Sequence, residues 1–126
     1  MKKSKNIFLK KKILIYGLGR TGISSFKFLK DKAHVYLFDD KKIIKNKINN
    51  KAISYKELSK KKFDKIIISP GIDISKCKLT KFLIKNFSKI YTDLDVFKSF
   101  YKNKCITITG TNGKSTTAKI LYDVLL

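Results

Sequence analysis

Lys114 stands among the residue types that a phosphate cradle needs. Gly110, Thr111, Asn112 and Gly113 precede it, Ser115 and Thr116 follow it, and an apolar, β-branched stretch from Cys105 to Thr109 leads in. A helical pattern of apolar residues then runs through Ala118, Ile120, Leu121, Val124 and Leu125. A strand, a glycine loop and a helix start in that order turn backbone N–H groups toward an anion. Lys114 adds a point charge there, and a hydroxyl from Ser115 or Thr116 suits Mg²⁺. The usual spacing G-x-x-x-x-G-K-[ST] is not met, because Ile108 stands five residues before Gly113. A glycine turn followed by a chance lysine would need none of the flanking features, so their joint presence favours a nucleotide-phosphate site.

A second constellation lies near the other end. Gly17, Gly19 and Gly22 form a G-x-G-x-x-G turn that includes Arg20 and Thr21, between the apolar run Ile13-Leu14-Ile15-Tyr16 and a helical pattern through Ile23, Phe26, Phe28 and Leu29. Such glycines permit a tight turn and close approach of a ligand's phosphate or sugar to a helix N-terminus. Asp39 and Asp40 follow the next apolar run, Val35 to Phe38, about 20 residues on, where a dinucleotide-binding unit places its ribose-reading acid. The spacing alone suggests an NAD(P)-binding module. The glycines also serve packing in many αβ domains, and two acids after a strand also suit a solvated turn. Ser69-Pro70-Gly71 ends a third apolar run and completes the set.

The elements that must hold these residues alternate. Strands are expected at 13–16, 35–38, 66–69, 89–92 and 104–109, with a short one at 52–54. Helices are expected after the first glycine turn, at 55–61 with Leu58 inward, at 76–86, at 93–100 with Asp93 near its positive end, and after Lys114. Residues 41–51 are rich in Lys and Asn and read as irregular. Alternation of this kind predicts an α/β fold, a Rossmann-like parallel sheet of about five strands flanked by helices. In such sheets ligands bind outside the carboxyl ends of the strands, where the 17–22 turn, Asp39, Asp40 and 69–71 all fall.

Composition sets the outer limits. The 126 residues suit one domain, or one domain and the start of another. No apolar run approaches the roughly 18 residues needed to span a bilayer. The basic first 12 residues carry only Ile7, Phe8 and Leu9 as an apolar centre, too short for a signal peptide. A partly mobile lead-in and a cytoplasmic location are expected. Cys77 and Cys105 match no metal or redox spacing; both read as reduced, with Cys105 opening a buried strand. The net charge of +21 raises a nucleic-acid reading, but of 30 basic residues only Arg20 is an arginine. Base readout and bidentate phosphate recognition favour arginine. The lysines come with abundant Ile, Asn, Phe and Tyr, the residues of A+T-rich codons, so the excess reads as compositional drift. A weak, salt-sensitive affinity for polyanions is expected, and no specific nucleic-acid partner.

Taken in order, Gly-Leu-Gly-Arg-Thr-Gly at 17–22, the strand ending in Asp39, Ser-Pro-Gly-Ile at 69–72, Asp-Leu-Asp-Val-Phe at 93–97 and Thr-Gly-Thr-Asn-Gly-Lys-Ser-Thr at 109–116 resemble the amino-terminal part of the Mur ligases. These are the ATP-dependent amide ligases of the peptidoglycan stem peptide, grouped with the folylpolyglutamate synthetases. Ser115, with the early glycine turn and Ser-Pro-Gly at 69–71, favours the D-glutamate-adding branch; the alanine-adding branch is expected to carry His where Asn112 stands, and the folylpolyglutamate synthetases Gly where Ser115 stands. The resemblance implies that the first glycine turn holds UDP in place of NAD. Gly17, Gly19 and Gly22 would frame it, Arg20 and Thr21 would approach the diphosphate and sugar, and Asp39, Asp40, Lys41 and Gly71 would line the uracil pocket. The family's second motif has an acid, a small polar residue and a base, so Asp40 departs at the middle place.

The resemblance also implies a reaction. ATP's γ-phosphoryl passes to the alanyl carboxylate of UDP-N-acetylmuramoyl-L-alanine, and the amine of D-glutamate attacks the acyl phosphate. Lys114 and Mg²⁺ would neutralise the moving charge. Peptidoglycan synthesis, and with it cell-wall building, cell shape, the cell cycle and division, is the implied setting, with a monomer as the working form. On this reading residues 1–12 lead in, 13–101 form the UDP-binding domain, and 102–126 begin a truncated ATP-binding central domain. A fragment so composed is expected to be inactive alone.

Overall fold

The computed structural model describes residues 6–41 and 51–125. Its centre is a parallel sheet of four strands in the order β2-β1-β3-β4: β1 Lys12–Tyr16, β2 His34–Phe38, β3 Lys65–Ile68 and β4 Ile90–Tyr91. β1 pairs with β2 from Lys12↔His34 to Tyr16↔Phe38, and with β3 from Ile13↔Lys65 to Tyr16↔Ile68. The β3–β4 pairing is short, Ile66↔Ile90 and Ile67↔Tyr91. The strands are apolar without alternation because both faces of the sheet are covered. Ile13, Ile15, Val35, Leu37 and Ile67 pack on one face with Phe8, Leu29 and Val96. Leu14, Tyr16, Phe38, Ile66 and Ile68 pack on the other with Leu58, Leu79 and Leu83. The first face is covered by α1 (Arg20–Leu29) and α4 (Asp93–Phe100), the second by α2 (Tyr55–Lys60) and α3 (Thr80–Lys85).

Two of the short helices owe their start to the same device. Ser54 and Glu57 at α2, and Thr92 and Asp95 at α4, form reciprocal capping boxes that satisfy orphan N–H groups at the helix entry. Hydrogen bonds to Ser54 hold the Glu57 carboxyl below its ordinary range.

Four expectations need correction. The expected fifth strand at 52–54 reduces to a single bridge, Leu37↔Ala52, and the irregular 41–51 stretch lies, apart from its ends, outside the described residues. The helix expected from residue 76 begins at Thr80. Asp73 instead accepts from the Ser75 N–H and hydroxyl, and the Thr80 hydroxyl donates to the carbonyls of Ile74 and Cys77, turns that compete with a helix. The amino-terminal stretch is not all a loose lead-in. From Asn6 on it is docked: Phe8 is fully buried, edge-on to Tyr91 with ring centroids 5.3 Å apart, and the Asn6 amide donates to the Ser99 carbonyl at 2.8 Å.

The fourth concerns 104–109. This segment forms no strand: it pairs with neither edge of the sheet, and Cys105, expected at the start of a buried strand, is exposed. An apolar β-branched run makes a strand only when a neighbour takes its hydrogen bonds, and none is offered here. The final helix, α5 (Lys114–Leu125), forms but buries no residue, leaving Ile120, Tyr122, Val124 and Leu125 exposed.

Candidate functional site

The chain order reverses at β1, with β2 on one side and β3 on the other, and a cleft opens at the carboxyl ends of β1 and β3. It has a volume of about 580 Å³. Gly17, Gly19, Thr21, Asp39, Asp40, Lys41 and Gly71 all line it, with Leu18, Ser69, Ile72, Lys76 and Cys77. Sheets of this type take ligands at such a switch point.

Three backbones interlock at its floor. Sheet pairing continues past the strands, with the Gly17 N–H donating to Phe38 and the Ser69 N–H to Tyr16, each at 3.0 Å. Gly17 takes φ +89°, open to glycine and strained for other residues. Its carbonyl accepts from the Ser69 hydroxyl at 2.7 Å and lies where a Cβ on Gly22 would be, 1.9 Å away. Gly22 is therefore a packing glycine behind the cleft. Gly19 is exposed and begins α1 without a side-chain cap, and no acidic residue stands in the first turn. A helix start of that kind favours an anion.

Asp39 ties this turn to β2. Its carboxylate accepts from the Leu18 N–H at 2.6 Å with one oxygen and from the Lys41 N–H at 2.8 Å with the other. Asp40 turns the other way: one oxygen accepts from the Tyr16 hydroxyl at 2.7 Å, while the other is buried with no hydrogen-bond donor. Arg20 points to a neighbouring hollow of about 380 Å³ between α1 and α4, shared with Phe28, Asp93, Val96 and Phe97. Thr21 borders both hollows.

Burial, then the Asp40 hydrogen bond, pushes the Tyr16 phenol well above the ordinary tyrosine range. With the folded value above the unfolded one, Tyr16 contributes its full stability below the unfolded value of about 10 and loses it as pH rises beyond. Tyrosinate absorbance of wild type and Tyr16→Phe should therefore coincide up to the alkaline unfolding transition and diverge only through it. A divergence in the folded range would mean that the phenol is open to water.

The constellation around Lys114 lies apart from this cleft. Gly110 (φ +150°) and Gly113 (φ +75°) give the 110–113 loop backbone turns that favour glycine. The Lys114 ammonium folds back to donate to the carbonyls of Gly110 and Thr111. Thr111, Asn112, Ser115 and Thr116 are exposed beside it, and α5 starts at Lys114. Among the described residues no three His, Cys, Asp or Glu side chains gather as a metal site. No helix among them is long and apolar enough to cross a membrane.

Sequence reasoning named the turn and the strand-end acids but passed over Tyr16, Ser69's hydroxyl and Lys78, which shape the cleft from beneath and behind. Tyr16 at the end of a core strand was the available signal: a buried phenol needs a hydrogen-bond partner.

A parallel sheet covered on both faces, with a glycine turn and a cleft at the switch point, defines an α/β domain of the doubly wound class. Residues 11–90 match the family described as Mur ligase MurD-like, N-terminal domain, and the chain belongs to it. It is similar to the UDP-N-acetylmuramoylalanine–D-glutamate ligase of Rickettsia prowazekii (strain Madrid E), 37% identical over 95% of this chain and 28% of the relative. Ligases of the same name from Aquifex aeolicus (strain VF5) and Buchnera aphidicola subsp. Baizongia pistaciae (strain Bp) are 36% and 37% identical over 90% and 94% of this chain. These cover 25% and 28% of the two relatives, so the chain spans about a quarter of the length of the curated proteins it matches. No solved structure matches it.

Proposed function

We propose that the cleft between the 17–22 turn and 69–77 takes the UDP part of UDP-N-acetylmuramoyl-L-alanine, and that the chain contributes this substrate-binding unit to a D-glutamate-adding Mur ligase. The observation that carries the reading is the convergence of Gly17, Thr21, Asp39, Lys41 and Gly71 on one cleft at the switch point. The uncapped start of α1 suits a diphosphate, and Lys41 adds positive charge at the rim, where Lys76 lies 3.9 Å from the Asp73 carboxylate. UDP is favoured over NAD(P) because residues 11–90 match the MurD-like N-terminal domain and the similar ligases are named for a UDP-linked substrate.

The 110–116 loop fits the phosphates of ATP in its chemistry: two glycines in conformations that favour glycine, an ammonium at the loop mouth and two free-standing hydroxyls at a helix start. Ser115 or Thr116 would give Mg²⁺ one oxygen ligand. Mg²⁺ held there would supply positive charge against the phosphate oxygens. Lys114 would exchange its two loop carbonyls for phosphate oxygens.

Calorimetric titration tests the reading. Wild type should bind UDP more tightly than NAD⁺. Asp39→Ala, which frees the Leu18 and Lys41 N–H groups, should weaken UDP by roughly ten- to hundredfold, the range for hydrogen bonds to a charged group. Equal affinity of the two chains, or a preference for NAD⁺, would overturn it.

A further inference from the structure

The wall of the cleft formed by residues 72–77 packs Ile72, Ile74 and Cys77 against the core but has few polar ties to the rest of the fold. Among the described residues, the hydrogen bonds of 73–77 stay within the segment or reach Thr80: Asp73 to Ser75, Lys76 to Asp73, Thr80 to Ile74 and Cys77. Lys78 is the exception. Its N–H reaches the Asp40 carboxylate at 3.4 Å, and its ammonium donates to the Asp40 carbonyl at 3.0 Å. The same carboxylate oxygen accepts from Tyr16, whose ring is fully buried in the core.

We propose that Tyr16, Asp40 and Lys78 form a clasp that fixes the 72–77 wall against the end of β2, with Tyr16 and Lys78 as positioning residues for the ligand of the cleft. Neither Tyr16 nor Lys78 lines the cleft; both act through Asp40, which does. The orphan oxygen of Asp40 supports this reading. A buried acceptor without a donor is costly, and a carboxylate free to choose would turn it to water. The Tyr16 hydroxyl, anchored by its buried ring, holds the side chain inward. Without that hydroxyl only the long Lys78 N–H contact remains on the carboxylate, so the Asp40 side chain swings outward and the wall keeps only the Lys78 ammonium on the Asp40 carbonyl.

The ligand side of this inference rests on the UDP reading; the wall itself can be followed without ligand. Amide exchange in residues 73–79 and calorimetric UDP affinity are measured for wild type, Tyr16→Phe, Lys78→Ala and the double variant. Exchange in 73–79 should rise roughly three- to tenfold in each single variant, the worth of one net hydrogen bond, while β1 and β3 stay protected. UDP should weaken by a similar factor in each. The double variant should weaken it by clearly less than the product of the two, because both hold one residue, Tyr16 through the Asp40 carboxylate and the Lys78 ammonium through the Asp40 carbonyl, and share no contact of their own. Additive losses would mark two unrelated structural effects and overturn the clasp. Unchanged exchange in 73–79, or UDP affinity within twofold of wild type in both singles, would overturn it too. If Tyr16→Phe does not fold, Lys78→Ala, altered only at an exposed side chain, decides by the same two readouts. Should wild type itself fail to bind UDP, the proposed function falls, and the exchange measurement still upholds or overturns the clasp.

Discussion

Gly22→Ala is expected to lose about 3–5 kcal/mol of stability, or its cooperative unfolding transition altogether. The added methyl would lie 1.9 Å from the Gly17 carbonyl oxygen and 3.1 Å from the Ser69 hydroxyl. Neither neighbour can yield cheaply. The carbonyl belongs to a residue at φ +89° whose N–H is bonded to Phe38, and the hydroxyl is bonded to that same carbonyl. Relieving the clash means sliding α1 off the ends of β1 and β3 together. Gly19→Ala is the matched control. Its Cβ would meet nothing within 4 Å, and its φ of −67° is ordinary, so its stability should stay near wild type. Urea unfolding of both variants checks the pair, read as midpoint shifts at constant slope. A wild-type midpoint for Gly22→Ala would mean that the turn does not pack against Ser69 in solution.

Phe8→Ala should lose about 3–5 kcal/mol, the range for deleting a buried aromatic ring. The ring has no exposed surface and packs in the same cluster as Ile13, Ile15 and Val96, edge-on to Tyr91. Its backbone is set by Asn6, whose side-chain oxygen accepts from the Phe8 N–H while its amide holds Ser99. Loss of the ring therefore leaves a cavity and frees the amino-terminal stretch from α4 at once. Against a total stability of about 5–15 kcal/mol for a domain, the effect is large. Thermal and urea unfolding would show it directly, and a loss below about 1 kcal/mol would place residues 6–11 off the domain in solution.

The central strands were legible because their signal is local and redundant. Ile13 to Tyr16, Val35 to Phe38 and Ile66 to Ile68 are apolar at every position, which suits a strand buried on both faces, and the turn residues after them set where each ends. The cleft was legible for a geometric reason: in a parallel sheet the strand ends are neighbours, so Gly17, Asp39 and Gly71 meet although they are far apart in sequence. What escaped depended on partners that a linear reading does not supply. The 104–109 run has strand composition and no strand to pair with. Phe8 sits in a lysine-rich stretch, and its burial follows from Tyr91 and Val96. Asp40 looks like its neighbour Asp39 in the sequence, yet one side chain ties a turn and the other reaches Tyr16. Two cues were present and unused, the S-x-x-E at Ser54–Glu57 and the T-x-x-D at Thr92–Asp95, each of which starts a helix where the structure starts it.

The bond from Asn6 to Ser99 spans 93 residues, and it sets a timetable. β1 is made before β2 and β3 and lies between them in the sheet, so it must wait for one on each side. Phe8 waits longer still, because Tyr91 and Val96 are translated near the end of the sheet domain. At about 5–20 residues per second, the nascent chain carries that bare ring for roughly 5–20 seconds before its pocket exists. Closing so wide a loop late is entropically slow, and the chain's opening residues are then the last to settle. Lysines flank Phe8 at 2, 3 and 5 and at 10–12, so like-charge repulsion opposes association of nascent chains through the bare ring until α4 covers it.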